Sequence, residues 1–303
     1  VDEAVRDKWL ERLYAALEED DPPYLECLGA HWGMLCATPA LALSKVPAVQ
    51  IVHEHTAQHR GASAHREGGI RFLSLLQGEE DTPGNFHLML VYANDFVAPR
   101  HRHNFDQLRI VMQGAFGFER GQVQEAGMLG YFTEGTFYTQ KAEGPSTTLL
   151  LQAGGASGAG YMSDRQLRTA VDELQTKGSF HNGVFSWNDD SGKKHNKDGY
   201  EAAWEHVRGR KISYPKPLFE QPVIWRGERF AWEATAQPGV HIRRFAEFTG
   251  KRLSVAQVRV DAGARCTFSA AERETLLYCI SGQADLDGQT LGPVSAVRLR
   301  HTE

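Results

Sequence analysis

The sequence predicts a mainly β protein: two antiparallel barrels or sandwiches, preceded by a helical segment. Three observations lead there. Short apolar runs at 70–76, 86–92, 107–112, 115–118 and 147–151 alternate with Gly, Pro, Asn and Asp, as in a chain of closely spaced strands. A second series follows at 223–225, 229–232, 240–245, 253–260, 275–280 and 291–299. The two series also echo each other. Gly114 and Gly282 lie 168 residues apart, and the same offset carries His101 to Ser269, His103 to Ala271 and Gln107 to Thr275.

Taken in order, residues 3–19 place Val5, Trp9, Leu10, Leu13, Ala16 and Leu17 at helical spacing, and Pro22 and Pro23 end that helix. The expected domains are an N-terminal helix and loop extension over 1–66, a first barrel over 67–160, a helix and linker over 161–221, and a second barrel over 222–303. Within the third segment, Leu167, Ala170, Val171 and Leu174 predict a helix over 163–176, and the polar stretch 186–199 reads as a linker or exposed loop.

Composition excludes several classes. The 303 residues are 41% hydrophobic and carry a net charge of -5, with no block of Lys or Arg, so neither nucleic acid nor a membrane is an expected partner. The acidic N-terminus lacks the basic and apolar regions of a signal peptide. Cys27, Cys36, Cys266 and Cys279 have no CxxC spacing and read as reduced thiols, so a cytoplasmic protein is expected.

The chemistry concentrates between Ala98 and Gly114. His101 and His103 are one residue apart, and on a strand residues i and i+2 share a face, so both imidazoles can reach one ion. Neutral imidazoles suit Fe, Mn, Ni, Cu or Zn. Arg109, two residues past Gln107, shares the inward face, and its fork can bind a carboxylate; the other reading pairs it with an internal Asp or Glu.

His101, His103, Gln107 and Gly114 resemble the first motif of the cupin family, with Gln107 at the place of its glutamate. Gly127, Thr133, Gly135 and Tyr138 resemble the second motif, with Thr133 in place of proline and Tyr138 in place of the third histidine ligand. The resemblance implies a bicupin of two jelly-roll barrels, the second degenerate. The His-Arg-His string followed by Leu108 and Arg109 looks most like the gentisate 1,2-dioxygenase branch. That branch implies a mononuclear divalent metal, iron first and Mn, Ni or Zn after it, with O2 as co-substrate and a small aromatic or enolic acid as substrate.

The metal set expected is His101, His103, Gln107 and Tyr138, with Arg109 and Tyr138 as catalytic residues. At the third position three readings stand open: Tyr138 as a phenolate, Gln107 as an amide ligand, or a vacant site with Tyr138 as a hydrogen-bonding or acid/base group. The competing functions are a non-oxidative isomerase or lyase using Tyr138, and a ligand-binding cupin without catalysis. A homo-oligomer is expected.

The remaining histidines are read more plainly. His53, His55, His59 and His65 form a solvated loop, or one of them caps the barrel mouth as an acid or base. His87 is a satisfied barrel histidine, and Glu134 is exposed in a turn. The second copy offers Arg273, Glu274 and Arg298 without a histidine pair, so its expected role is structural.

Overall fold

The structure, a computed structural model, describes residues 24–36, 49–66, 68–248, 253–268 and 274–300. The helix expected over 3–19 lies outside them. The described residues divide into two compact units: those within 54–230, and those within 231–300 together with 24–36 and 49–53. Strands β1 (Tyr24–Cys36) and β2 (Val49–Val52) belong to the second of these.

The first unit holds β3 (Gln58–Gly61), β4 (Ile70–Gln77), β5 (Phe86–Ala93), β6 (Phe96–His101), β7 (Phe105–Gln113), β8 (Ala115–Glu119), β9 (Gln122–Glu125), β10 (Met128–Phe132), β11 (Tyr138–Ala142) and β12 (Ser146–Gly154). After these come α1 (Asp164–Gln175), a small sheet of β13 (Ser179–His181), β14 (Val184–Asn188) and β15 (Lys194–Asp198), α2 (Gly199–Arg208) and β16 (Val223–Arg226). One antiparallel sheet runs β16-β10-β7-β12-β5-β4-β3 and a second runs β6-β11-β8-β9. Apolar side chains from both sheets meet between them: Ala93 and Val111 from the first, Phe96, Ala98, Phe116 and Ala142 from the second. Burying such faces is the main force closing the barrel.

Sequence punctuation explains the turns. Gly114, at φ +74°, turns β7 into β8, and a side chain there would meet the Pro145 carbonyl oxygen at 2.3 Å. Ser163 and Gln166 form a capping box that starts α1. The Asp198 side chain accepts from the Tyr200 and Glu201 amides to start α2, and Gly209 ends it in the left-handed conformation. The helices and the small sheet share a core of Val171, Phe180, Phe185, Ala203 and Trp204 that includes Phe105 of β7. The stretch 186–199, expected as a linker or exposed loop, is mostly hairpin: β14 pairs with β15 from Val184 opposite Asp198 to Asn188 opposite Lys194. Among the described residues no helix is long and apolar enough to cross a membrane.

The second unit contains β17 (Glu233–Ala234), β18 (Val240–Phe248), β19 (Leu253–Val260), β20 (Arg265–Thr267), β21 (Thr275–Leu286), β22 (Gln289–Leu291) and β23 (Ala296–Leu299). Its sheet runs β17-β18-β19-β1-β21-β23-β2, with β20 on β1 and β22 on β21. Shifting β5, β6, β7 and β10 by 168 residues moves their first residues to 254, 264, 273 and 296, against 253, 265, 275 and 296 for β19, β20, β21 and β23. The duplication is thus legible strand by strand.

Two boundaries differ from the sequence reading. In the first unit β12 lies between β5 and β7; in the second that place is taken by β1, between β19 and β21. Residues 24–36 and 49–52, read as part of an N-terminal extension, are therefore strands of the second barrel. Conversely β16, expected to open the second barrel, pairs with β10 of the first, and residues 229–232, expected as a strand, hold a 3-10 turn and irregular chain. Sequence proximity decided those expectations, whereas pairing across the chain decides the fold. The second unit has an apolar core that includes Val258, Leu277, Cys279, Leu286 and Val297, and Leu277 stands at the place of Arg109. Arg298 pairs with Glu274 beside it.

Candidate active site

A cavity of about 110 Å³ lies in the first unit. His101, His103 and Arg109 line it from the barrel, His65 and Arg66 from the loop before β4, and Tyr161, Arg168 and Tyr200 from the helical segment. Ile70, Phe72, Met89, Val91, Phe96 and Leu150 supply apolar wall.

His101 ends β6, but His103 lies in the turn before β7, so strand alternation is not what joins them. The turn folds the rings edge to face with centroids 4.9 Å apart. His101 Nδ1 lies 2.6 Å from the Pro99 carbonyl oxygen. Nδ1 therefore carries the proton, and Nε2, buried and without a partner, carries a bare lone pair. Such a backbone anchor is also how metal-ligating histidines are held.

Gln107 and Tyr138 are each 1% exposed and are not among the lining residues. They bind each other. Gln152 Nε2 donates to Gln107 Oε1 at 2.8 Å, Gln107 Nε2 donates to the Tyr138 hydroxyl, and that hydroxyl lies 2.6 Å from His103 Nδ1. With its oxygen accepting from Gln107, the phenol gives its own proton to His103 Nδ1. Neutral His103 then carries its proton on Nε2. Burial pushes Tyr138 up to about 12, against the pull of Arg109 and Arg66, so it is a phenol and not a phenolate at neutral pH.

Of the expected set, His103, Gln107 and Tyr138 are thus joined in a hydrogen-bonded chain, and His101 Nε2 keeps an unused lone pair. Among the described residues no group of three or more His, Cys, Asp or Glu is arranged to hold an ion. As arranged, these residues do not fit the metal that the sequence led us to expect. The physical reason is local: at the third position a phenol satisfies an amide and an imidazole instead of pointing a lone pair inward.

Arg109 on β7 is 1% exposed, and neither terminal nitrogen has a hydrogen-bond partner. Its guanidinium sits against the rings of Phe132 at 4.1 Å, Tyr138 at 4.8 Å and Phe116 at 5.4 Å. An internal carboxylate partner, the other sequence reading, is not bonded to those nitrogens. The other cavity arginines are committed: Arg60 and Arg168 pair with Asp164, and Arg66 pairs with Asp198 at 3.4 Å. Leaving the terminal nitrogens of a buried guanidinium without partners costs on the order of several kcal/mol; burial lowers its affinity for its proton, and the Tyr138 hydroxyl beside it works the other way. An arginine fork in that state has the chemistry to bind a carboxylate.

Burial holds His101, His103 and His65 well below the usual histidine range, and the charges of Arg66 and other nearby groups add to it. All three are neutral imidazoles at neutral pH. His87 is the satisfied histidine expected, 2.8 Å from Ser74 Oγ. Glu134, expected to be exposed, is buried and accepts from the Ser157 amide and hydroxyl at 2.6 Å each. The sequence singled out His65 only as one of several loop histidines, and gave no signal for Arg66, Gln152, Tyr161 or Tyr200, whose roles arise from pairing and packing across the chain.

No family model and no curated protein matches the sequence. Solved structures do match. A Pseudomonas aeruginosa protein that carries the provisional name glyoxylate induced protein is 11% identical, with 88% of this chain and 85% of that one covered at a TM-score of 0.50. A Nostoc punctiforme protein provisionally named a dioxygenase is 10% identical, with coverage of 89% and 81% and a TM-score of 0.48. Oxalate decarboxylase from Bacillus subtilis is 12% identical, with coverage of 83% and 70% and a TM-score of 0.42. At these identities the likeness is one of fold. Together with the strand topology, it makes the chain a mainly β protein with the two-barrel cupin fold.

Proposed function

We propose that the first barrel is an enzyme site for a small, enolisable carboxylic acid, and that it moves a proton on that acid. The observation that carries this is the juxtaposition, on one cavity, of the bare guanidinium of Arg109 and the bare Nε2 lone pair of His101. The Arg109 fork takes the carboxylate. His101 Nε2 accepts a proton from the carbon next to the carbonyl, the electron pair moves onto the carbonyl oxygen, and the Nε2–H of His103 steadies the charge that develops there. Neutral imidazole serves that role well, since it donates without surrendering its proton. Return of the proton from His101 to a different atom of the substrate completes an isomerisation with no co-reactant. Tyr138 acts through His103, fixing its tautomer. Size favours a small substrate: an apolar cavity of about 150 Å³ holds one benzene, and this one is about 110 Å³, which suits a short aliphatic acid.

A second chemistry is favoured by one observation, the anchoring of His101 Nδ1 on a backbone carbonyl. It is the oxidative, metal-dependent one: a dioxygenase-like enzyme using iron, or Mn, Ni or Zn, and O2. It requires Gln107 and Tyr138 to release each other.

Proton exchange tests the proposal. In D2O the wild-type protein should speed loss of the C3 proton signal of a panel of short 2-oxo acids. Arg109→Leu should slow that exchange by about 100-fold or more, and His101→Ala should remove it. No exchange with any of the panel, or exchange unaffected by Arg109→Leu, overturns the proposal. About one iron per purified chain, absent from a His101→Ala/His103→Ala control, together with O2 uptake, moves the assignment to the oxidative chemistry.

A further inference from the structure

His65 belongs to no motif that the proposed chemistry uses, yet three independent features build it into the site. It lines the cavity with His101, His103 and Arg109. Its Nδ1 is buried and has no hydrogen-bond partner, like His101 Nε2. Its backbone is clamped: Arg66 donates to the His65 carbonyl oxygen at 2.9 Å and pairs with Asp198, the residue that caps α2. The packing behind it is equally tight. Gly199, the first residue of α2, approaches so closely that a Cβ there would stand 3.1 Å from His65 Cβ and 3.0 Å from the Gly183 carbonyl oxygen.

A buried imidazole nitrogen left without a partner carries an unmet desolvation cost, unless a ligand supplies the missing hydrogen bond. The loop spends an arginine, a helix cap and a glycine on fixing that imidazole in place. A solvated loop histidine needs none of these.

We propose that His65 is a third working imidazole of the cavity, binding the second oxygen function of a 2-oxo or enolic acid whose carboxylate lies on Arg109. This rests on the small-acid site proposed above and names its substrate class. His65 and His103 together then cradle the reacting oxygen, and an acid without that oxygen leaves His65 bare.

Pyruvate and propionate, which differ at C2 by one oxo group, test it by isothermal titration calorimetry on the full chain at neutral pH. The wild type should bind pyruvate about tenfold more tightly than propionate, as one or two added hydrogen bonds give. His65→Ala should cut that preference to under about threefold and leave the propionate affinity unchanged. Should the alanine variant fail to fold, His65→Phe fills the same space without a nitrogen and carries the same expectation. Arg109→Leu should weaken both acids alike. A full preference retained without His65, or no preference in the wild type, overturns the role of His65 and leaves the Arg109 site standing. Arg109→Leu that keeps both affinities, or a wild type that binds neither acid, overturns the small-acid site and His65 with it.

Discussion

Arg109 shows how one side chain decides what a cavity can hold. Replacing it with leucine removes an unpaired buried charge, so the variant should be as stable as the wild type or more so, while acid binding is lost. Chemical denaturation beside the binding assay separates those two effects. Burial also sets the behaviour of His87, which is held down to about 4. The unfolded chain takes up its proton near 6.5 and the folded chain does not until about 4, so the unfolded state binds more protons in between. His87 therefore contributes no penalty above pH 6.5, and costs about 2 kcal/mol by pH 5. Urea titrations at pH 7.5 and pH 5 should show stability falling at the lower pH and a shallower fall in His87→Gln; equal slopes would contradict this. At this scale the sequence was most legible where a residue acts alone. Arg109 and His101 were singled out, and both are left with unsatisfied atoms on the cavity. Gln107 and Tyr138 were read as ligands because spacing shows which residues can meet, not which of them will satisfy each other first.

At the scale of elements, the loop before β4 and the start of α2 form one device. Gly199→Ala places a methyl group against His65 and the Gly183 carbonyl oxygen, at a helix position where alanine is otherwise favourable. The variant should lose most of the preference for pyruvate over propionate, with a stability change within about 1 kcal/mol. Unchanged selectivity would mean that the loop tolerates the displacement. The strands of the first barrel were legible because their apolar runs are short and bounded by turn residues; β4, β5, β7, β8 and β12 stand where those runs predicted. The hairpin β14–β15 was not legible. Lys194, His195, Asn196, Lys197 and Asp198 carry no apolar alternation, and pairing with β14 alone makes them a strand.

At the scale of the whole molecule, the chain holds two copies of one barrel plan, and the second is completed by strands from before the first. The spacing of 168 residues exposed the duplication. It could not show that β1 stands in for the counterpart of β12, because nothing local links residues 24–36 to residues 253–286. Central pairing makes β1 sensitive: Trp32 is opposite Val258 on one side and Cys279 on the other. Proline there removes a backbone donor and cannot sit in a central strand. Trp32→Pro should cost about 3 kcal/mol or more and abolish amide-exchange protection in β19 and β21. Persistent protection of those strands would refute the pairing.

Arg109 lines a cavity in the first barrel, and at the matching place in the second Leu277 is packed in an apolar core. A crystal structure of the protein with pyruvate tests the role of Arg109 directly. The carboxylate should lie on the two terminal nitrogens of Arg109, with the oxo oxygen between His103 and His65. An acid bound elsewhere, with the Arg109 nitrogens still bare or taken by a protein carboxylate, would contradict it.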